Sequence, residues 1–414
     1  MGKKILWGLG IFALVIISIV IIFLIYAKIN SGDIAKPDDS NLYPSSQILS
    51  KEDNAFDDFK KASDGVVFSN DQSQSIADLA NNKNWDNSLA KQIVKDNSAA
   101  LVALKQGSLK KGYQDPILQN DLNKFNSETV LSPLSNVRKL AQISVIESRL
   151  FFEQGKKREA FDNTLKTIQL GQMLEDSPRG NLLSYLVGMS IKEVAITNLQ
   201  SMISNNNLTV GELRDYTSKI EKFKNNRTGL QESFKMEYVM IKNSKEQTID
   251  PCISSGQASE FLPPVVADSK VLLKSTFYYK PNKTHKLFIE RYKKFVDNAI
   301  KNCNEIISSS PKEEEISVVK ALFTENAVGK ILDSIIGVSI EGVNMKRCEE
   351  EFSVIKTQIS LASQAYKIDN GNYPNSLSQL YPNYLNQVYE QFNGEDIIYD
   401  AKTGEASINK NLYF

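Results

Sequence analysis

Leu182–Ile203 reads LLSYLVGMSIKEVAITNLQSMI, and Lys192 and Glu193 are its only charged side chains. Its apolar residues fall on nearly every face of a helix, the mark of a helix surrounded by protein. The stretch is too interrupted for a membrane span, so it predicts the central helix of a packed, mainly α body. Flanking sequence supplies its neighbours. Val137, Leu140, Ala141, Val145 and Leu150 form one apolar stripe; EQGKKREAF then breaks the pattern at Gly155; Ala160, Phe161, Leu165 and Ile168 begin a second stripe. Spacings of three and four predict two antiparallel helices. On the other side Thr209-Val210-Gly211-Glu212 is a capping box, in which hydroxyl and carboxylate satisfy free amide donors. Leu213, Tyr216, Ile220 and Phe223 then continue one helical face.

The turn at Gly155, followed by Ala160-Phe161 on the next helix, resembles one tetratricopeptide-like helical hairpin. That resemblance implies a repeat-like helical body, although no 34-residue recurrence follows elsewhere.

Helical spacing extends outward from this centre. Ser75, Ile76 and Leu79, then Leu89 and Ile93, then Leu101, Leu104 and Leu109 read as amphipathic helices. Thr248–Lys274 carries Pro251, Gly256 and Pro263-Pro264 and reads as an irregular excursion. Helix resumes after Lys283, with Phe288, Tyr292, Phe295, Ala299 and Cys303 on one stripe. The segment KPNKTHKLFIERYKK, residues 280–294, admits two readings: a solvated basic face over an aromatic core, or a surface for an anionic lipid or polymer.

At the amino end Ile5–Tyr26, ILWGLGIFALVIISIVIIFLIY, is free of charge over 22 residues. As a helix it would span roughly 33 Å, enough to cross a hydrocarbon core once. The run exceeds the apolar core of a cleaved signal and lacks its small-residue site, so an uncleaved single-pass transmembrane helix is expected. Lys3 and Lys4 favour a cytoplasmic start and an exported body. The expected organisation is an anchor over 1–30 contacting the membrane through 5–26, a linker over 31–54, an α-helical body over 55–310, and a carboxyl-terminal module over 311–414.

That module opens at Ser310-Pro311 with Glu313, Glu314 and Glu315 in a first helical turn, where acidic residues suit the helix dipole. A long helix follows with Cys348, Phe352, Ile355, Ile359, Ala362 and Tyr366 on one stripe, ending at Asn370-Gly371. Beyond it YPNSLSQLYPNYL holds one short turn of helix, and 396–400 with 405–409 read as a β-hairpin closed near Thr403-Gly404. Tyr366, Asn370, Gly371, Tyr373, Pro374, Leu377, Leu380, Phe392, Gly394 and Tyr399 carry a resemblance. Phe352 to Ile408 resembles the globular end of the major pseudopilins of type II secretion systems. The resemblance implies a small α+β module and a place in a secretion or pilus-like apparatus. It also implies calcium near the carboxyl end, for which Glu395, Asp396 and Asp400 are hard oxygen ligands. At the amino end the apolar run holds no glutamate of the pilin kind.

The chain has 49 basic and 49 acidic residues among 414, so no net field recruits nucleic acid. Three cysteines, Cys252, Cys303 and Cys348, form neither a disulfide framework nor a zinc motif. Cys303 and Cys348 lie on apolar stripes, which favours reduced thiols; a bridge, if one forms, is expected between Cys252 in the excursion and Cys303. His285 is the single histidine, and Lys283, Thr284 and Lys286 beside it suggest a solvated position. No nucleotide-binding or hydrolase motif occurs. No catalytic or cofactor-binding residue is singled out. The leading expectation is a membrane-anchored, outward-facing helical scaffold with a protein partner; the others are a secretion or pilus-like component and a cell-envelope hydrolase using paired carboxylates.

Overall fold

The structure is a computed structural model that describes residues 17–18, 21–23, 25–125, 134–205, 207–223, 227–255, 276–307, 324–392 and 394–408. Their chain is mainly helical and divides into two compact units. One comprises Met1–Tyr43, Tyr238–Lys294 and Pro311–Glu341; the second comprises Pro44–Glu237, Phe295–Ser310 and Gly342–Phe414.

The helices are α1 (Phe56–Asp64), α2 (Asn70–Ala80), α3 (Asn87–Asp96), α4 (Ser98–Gly107), α5 (Pro116–Asn120), α6 (Leu134–Glu153), α7 (Lys157–Glu175) and α8 (Leu182–Ile203). They continue with α9 (Val210–Glu221), α10 (Arg227–Ser244), α11 (Asp250–Ser255), α12 (Pro281–Ala299), α13 (Cys303–Ile307) and α14 (Ala327–Asn370). A π turn over Lys245–Ile249 joins α10 to α11. The expected excursion therefore starts as helix through Pro251 as far as Ser255, with the proline directly after the π turn, where the backbone already departs from the α hydrogen-bond pattern. Residues 256–275 lie outside the described residues, as does the expected helix start at 310–315.

The second unit is built around α6, α7 and α8. Gly155 takes a φ of 77°, a left-handed turn that glycine adopts without steric cost, and it reverses the chain between α6 and α7. Val137, Leu140, Phe161, Ile168, Ile196 and Leu199 meet in one core. Helix α8 is central as expected, though Glu193, Thr197 and Ser201 keep one narrow stripe in water. Its contact with α7 is close. A Cβ on Gly171 would stand 2.6 Å from the Gly188 carbonyl, and one on Gly188 would stand 2.6 Å from that of Gly171. The capping box forms: Glu212 N donates to Thr209 Oγ1 at 3.3 Å and Thr209 N to Glu212 Oε2 at 2.8 Å. Leu109, expected in a stripe, is exposed.

The carboxyl end also follows the sequence pattern. Helix α14 stops at Asn370, and Gly371 takes a φ of 83°. Cys348, Ile355, Ile359 and Ala362 pack on Leu377, Leu380, Leu385, Phe392 and Ala406. Two small antiparallel hairpins form where one was expected. β1 (Gln391–Phe392) pairs with β2 (Glu395–Asp396), and β3 (Ile398–Asp400) with β4 (Glu405–Ser407). The unforeseen β1–β2 turn uses Gly394 at a φ of 78°. Cys303 and Cys348 are joined by a disulfide with Cα atoms 5.8 Å apart, while Cys252 is free. This corrects both the expected reduced thiols and the alternative Cys252–Cys303 bridge. Helix α13 lays its apolar stripe directly on that of α14, and so the two buried sulfurs face each other.

The expected single N-terminal transmembrane helix is also corrected: among the described residues no helix is long and apolar enough to cross a membrane. Much of Ile5–Tyr26, and Lys3 and Lys4 with it, lies outside the described residues. In the described part, Phe23 and Tyr26 set their rings edge-on to Phe277 at centroid distances of 5.7 and 5.8 Å. These aromatic side chains pack on protein. The following segment is also engaged, since Asp33 accepts the free amides of Asn282 and Lys283 at the start of α12.

Candidate functional site

Among the described residues, the second unit holds a groove lined by both basic and apolar side chains. Asp162, Leu165, Lys166 and Gln169 recur on one face of α7, and Lys219, Lys222 and Phe223 close the far side at the end of α9. The space between them is about 510 Å³, within the range of pockets that hold small ligands or single anchoring side chains. Leu165 is buried and Phe223 half-buried, giving an apolar floor. Lys166 and Lys222 stand exposed at its rim. The third lysine is partly engaged: Lys219 Nζ lies 2.7 Å from Asp215 and 5.2 Å from the Tyr216 ring centroid.

The groove's one carboxylate is already satisfied, because Tyr216 donates its hydroxyl to Asp162 Oδ1 at 3.0 Å. Burial, reinforced by Asp162, pushes the Tyr216 phenol above its ordinary range, so this hydroxyl keeps its proton. Three ammonium groups around an apolar floor, with their local acid occupied, make a receptor for an anion that carries an apolar group.

A smaller space of about 230 Å³ lies on the other face of α9, lined by Arg214, Glu221, Gln358, Asn383, Tyr384 and Asn386 among others. Its polar groups largely satisfy one another: Asn386 donates to Glu221 at 3.0 Å, and Arg214 lies 4.6 Å over the Tyr384 ring.

The candidate calcium ligands take separate tasks. Asp400 accepts from Lys402 N at 2.8 Å and Thr403 Oγ1 at 3.1 Å, and these bonds hold its carboxyl below the usual range. Asp396 accepts from Gln391 at 2.9 Å, and Glu395 pairs across β1–β2 with Phe392. Among the described residues no group of three or more His, Cys, Asp or Glu side chains could hold a metal ion.

His285 is buried, which corrects the solvated position expected from its neighbours. Helix α12 turns Lys283 and Lys286 outward and His285 inward, since adjacent helical residues point about 100° apart. In the first unit its Nε2 lies 2.7 Å from Tyr238 OH, and Tyr238 donates to Asp39 Oδ2 at 2.6 Å. Lys242 donates to Asp39 Oδ2 and to Tyr43 OH, each at 2.6 Å. Sequence spacing could not find this cluster, whose members stand some 200 residues apart, at 39 and 43 against 238, 242 and 285. The groove was more legible, as Leu165, Tyr216 and Phe223 were already marked on helical stripes.

No family model matches the chain, and neither a curated protein nor a solved structure matches it.

Proposed function

We propose that this chain is a helical scaffold that holds an acidic segment of a partner protein in the groove between α7 and the end of α9. The observation that carries this reading is the ring of Lys166, Lys219 and Lys222 around Leu165 and Phe223. Carboxylates of the segment meet the ammonium groups, and one apolar side chain fills the floor. Charge sets the choice of partner and its encounter rate; the apolar anchor sets residence. Leu165, Lys166 and Lys219 are helix-borne, so most of the receptor is preformed and little ordering accompanies binding. Fluorescence polarisation with a labelled peptide of glutamates flanking one phenylalanine tests the reading. Binding in the micromolar range at low salt is expected, with at least tenfold loss in the Lys166→Glu/Lys222→Glu variant. Equal binding by that variant, or by a lysine-phenylalanine peptide, overturns it.

A second reading, a component of a secretion or pilus-like apparatus, is supported by the packing of the α14 stripe on Leu377, Leu380 and the hairpins. Crosslinking in cells from a photoreactive residue at exposed position 402, with peptide mapping of the products, tests it. Adducts to pilin-like subunits support this reading, and adducts confined to other proteins refute it.

A further inference from the structure

Three helices of the second unit bring Glu175, Lys192 and Glu350 together out of water. Glu175 is the last residue of α7, Lys192 lies in mid α8, and Glu350 lies on α14. Their side chains are 0%, 0% and 5% exposed. Lys192 Nζ donates to Glu175 Oε2 at 2.9 Å and to Gln172 Oε1 at 2.8 Å, and it pairs directly with Glu350 Oε1. Glu175 Oε1 and Glu350 Oε2 are buried without a hydrogen-bond partner among the described residues.

The helix crossing leaves these groups no exit. A Cβ on Gly171 would come within 2.6 Å of Lys192 Cγ, and one on Gly188 within 2.9 Å of Glu175 Cγ. Each glycine stands one helical turn before the charged residue of its own helix. Backbone contact therefore clamps both stems. Two carboxyls face one ammonium, and burial, with the nearby Glu350 charge, pushes Glu175 well above its ordinary range. Glu175 accordingly takes up a proton more readily than an ordinary carboxyl.

We propose that Lys192 and Glu350 condense into an intramolecular amide, with Glu175 as the general acid and base. A proton first passes from Lys192 Nζ to the Glu350 carboxylate, giving an amine and a carboxylic acid. Burial opposes the Lys192 charge, but Glu175 and Glu350 outweigh it, so the amine is the minor form. That slows the reaction without preventing it, because each chain must react only once. The Nζ lone pair attacks Glu350 Cδ and the C–N bond forms. Glu175 gives its proton to the departing hydroxyl and takes the remaining surplus proton from nitrogen. The C–O bond breaks and water leaves. The balance is one ammonium and one carboxylate giving one amide and one water, with no change of oxidation state.

Each requirement of this step is met by an observed feature. Fixed reactants replace a bimolecular encounter, which can be worth several orders of magnitude in rate. Low polarity favours the neutral amine and acid over the same groups charged. Glu175, within hydrogen-bond reach of Lys192 Nζ and more readily protonated than an ordinary carboxyl, supplies acid catalysis. Both carboxyls face Nζ; Glu350, in direct contact with it, is the acceptor, and Glu175 supplies the proton. The product would tie the carboxyl-terminal helix α14 covalently to the central helix α8.

Intact-mass spectrometry of the full chain, denatured with its disulfide reduced, tests the proposal. The expected mass is lower than that of the sequence by one water, with a branched fragment joining the peptides that contain Lys192 and Glu350. Lys192→Met should restore the sequence mass, as should Glu175→Gln in a preparation whose circular dichroism matches wild type. The full sequence mass in aged wild-type protein overturns the proposal. A loss of water that persists in Lys192→Met, or that maps to other residues, also overturns it. Persistence in folded Glu175→Gln removes the role assigned to Glu175.

Discussion

The two units each bury a cluster of charged side chains, and the clusters are balanced in opposite ways. In the second unit, before any condensation, Lys192 is the cation between Glu175 and Glu350, and carboxylate oxygens are left without donors. In the first unit Asp39 receives Tyr238 and Lys242 together at 2.6 Å, with His285 behind the tyrosine. One site has acid in excess; the other has donors in excess. Burial acts on both in the same sense, yet the outcomes differ. Glu175 is raised because burial and Glu350 act together. At Asp39 burial is outweighed by the hydrogen bonds from Lys242 and Tyr238, and the carboxyl is held below its ordinary range. The number of donors per carboxylate, not burial alone, decides which way a buried acid shifts.

The sharpest way to break this comparison is to remove each cation. Measured against the uncondensed chain, Lys192→Met leaves two buried carboxyls facing each other and should cost about 3–5 kcal/mol, as for a buried ion pair that loses one partner. Lys242→Met leaves Asp39 with the Tyr238 hydroxyl and should cost about 1–3 kcal/mol. Urea unfolding at neutral pH gives both values. Equal losses would mean that the donor count does not matter.

A second test exchanges the donors. Tyr238→Phe removes the hydroxyl between His285 and Asp39, leaving a buried ring nitrogen and a carboxylate oxygen short of a partner. About 1–3 kcal/mol should be lost, with the ring packing of Tyr238 on Tyr292 kept. A loss under about 0.5 kcal/mol would show that water replaces the hydroxyl.

The third test is pH. Glu175 has a folded pKa above its unfolded value, so its contribution is full at acid pH and is lost as pH rises through the folded pKa. Asp39 is lowered, so its contribution is present above the unfolded value and is lost as pH falls through the folded one. His285 is lowered, mainly by burial with Lys245 adding to it, so the native state keeps it neutral and loses stability on acidification below its ordinary pKa. Denaturation midpoints from pH 4 to 9, a range of about five units that spans the ordinary glutamate and histidine values and lies above the lowered Asp39, should rise relative to wild type at the alkaline end in Glu175→Gln. They should keep the wild-type decline at the acid end. A flat difference across the range would contradict the assigned proton on Glu175.

These clusters mark where reading the sequence stops. Helices α6 to α9, the Gly155 reversal, the Thr209 cap and the end of α14 were legible because each is encoded within about twenty residues by apolar spacing or cap chemistry. Lys192 and Glu193 were equally visible as charges in an apolar helix, but only packing shows that Lys192 turns inward and Glu193 outward. The signal was the glycine one turn before Lys192, matched by Gly171 before Glu175. His285 was misread because its lysine neighbours describe the other face of its helix. The Cys303–Cys348 bridge was missed because periodicity marks two stripes as buried without saying that they are buried against each other. The apolar run over Ile5–Tyr26 was read as a span from composition, whereas among the described residues no helix is long and apolar enough to cross a membrane.

The smallest expected effect on stability belongs to the groove, where charges stay in water. Lys166 and Lys222 are exposed, so Lys166→Glu/Lys222→Glu should change unfolding free energy by no more than about 0.5 kcal/mol, against several for Lys192→Met. Function should separate from stability at this point. Binding of the acidic peptide should weaken steeply as salt rises from 0.05 to 0.5 M, on the order of the range over which the Debye length shortens below a typical charge separation. Phe223→Ala removes the Phe223 part of the apolar floor and leaves Leu165 and the lysines. Its affinity loss should be the same at low and high salt, because burial of apolar surface is not screened. If both variants lose affinity with the same salt dependence, charge and apolar floor do not act as separate parts of one receptor. A stability loss in the lysine variant comparable to that of Lys192→Met would place those ammonium groups in the core and remove the groove from the surface.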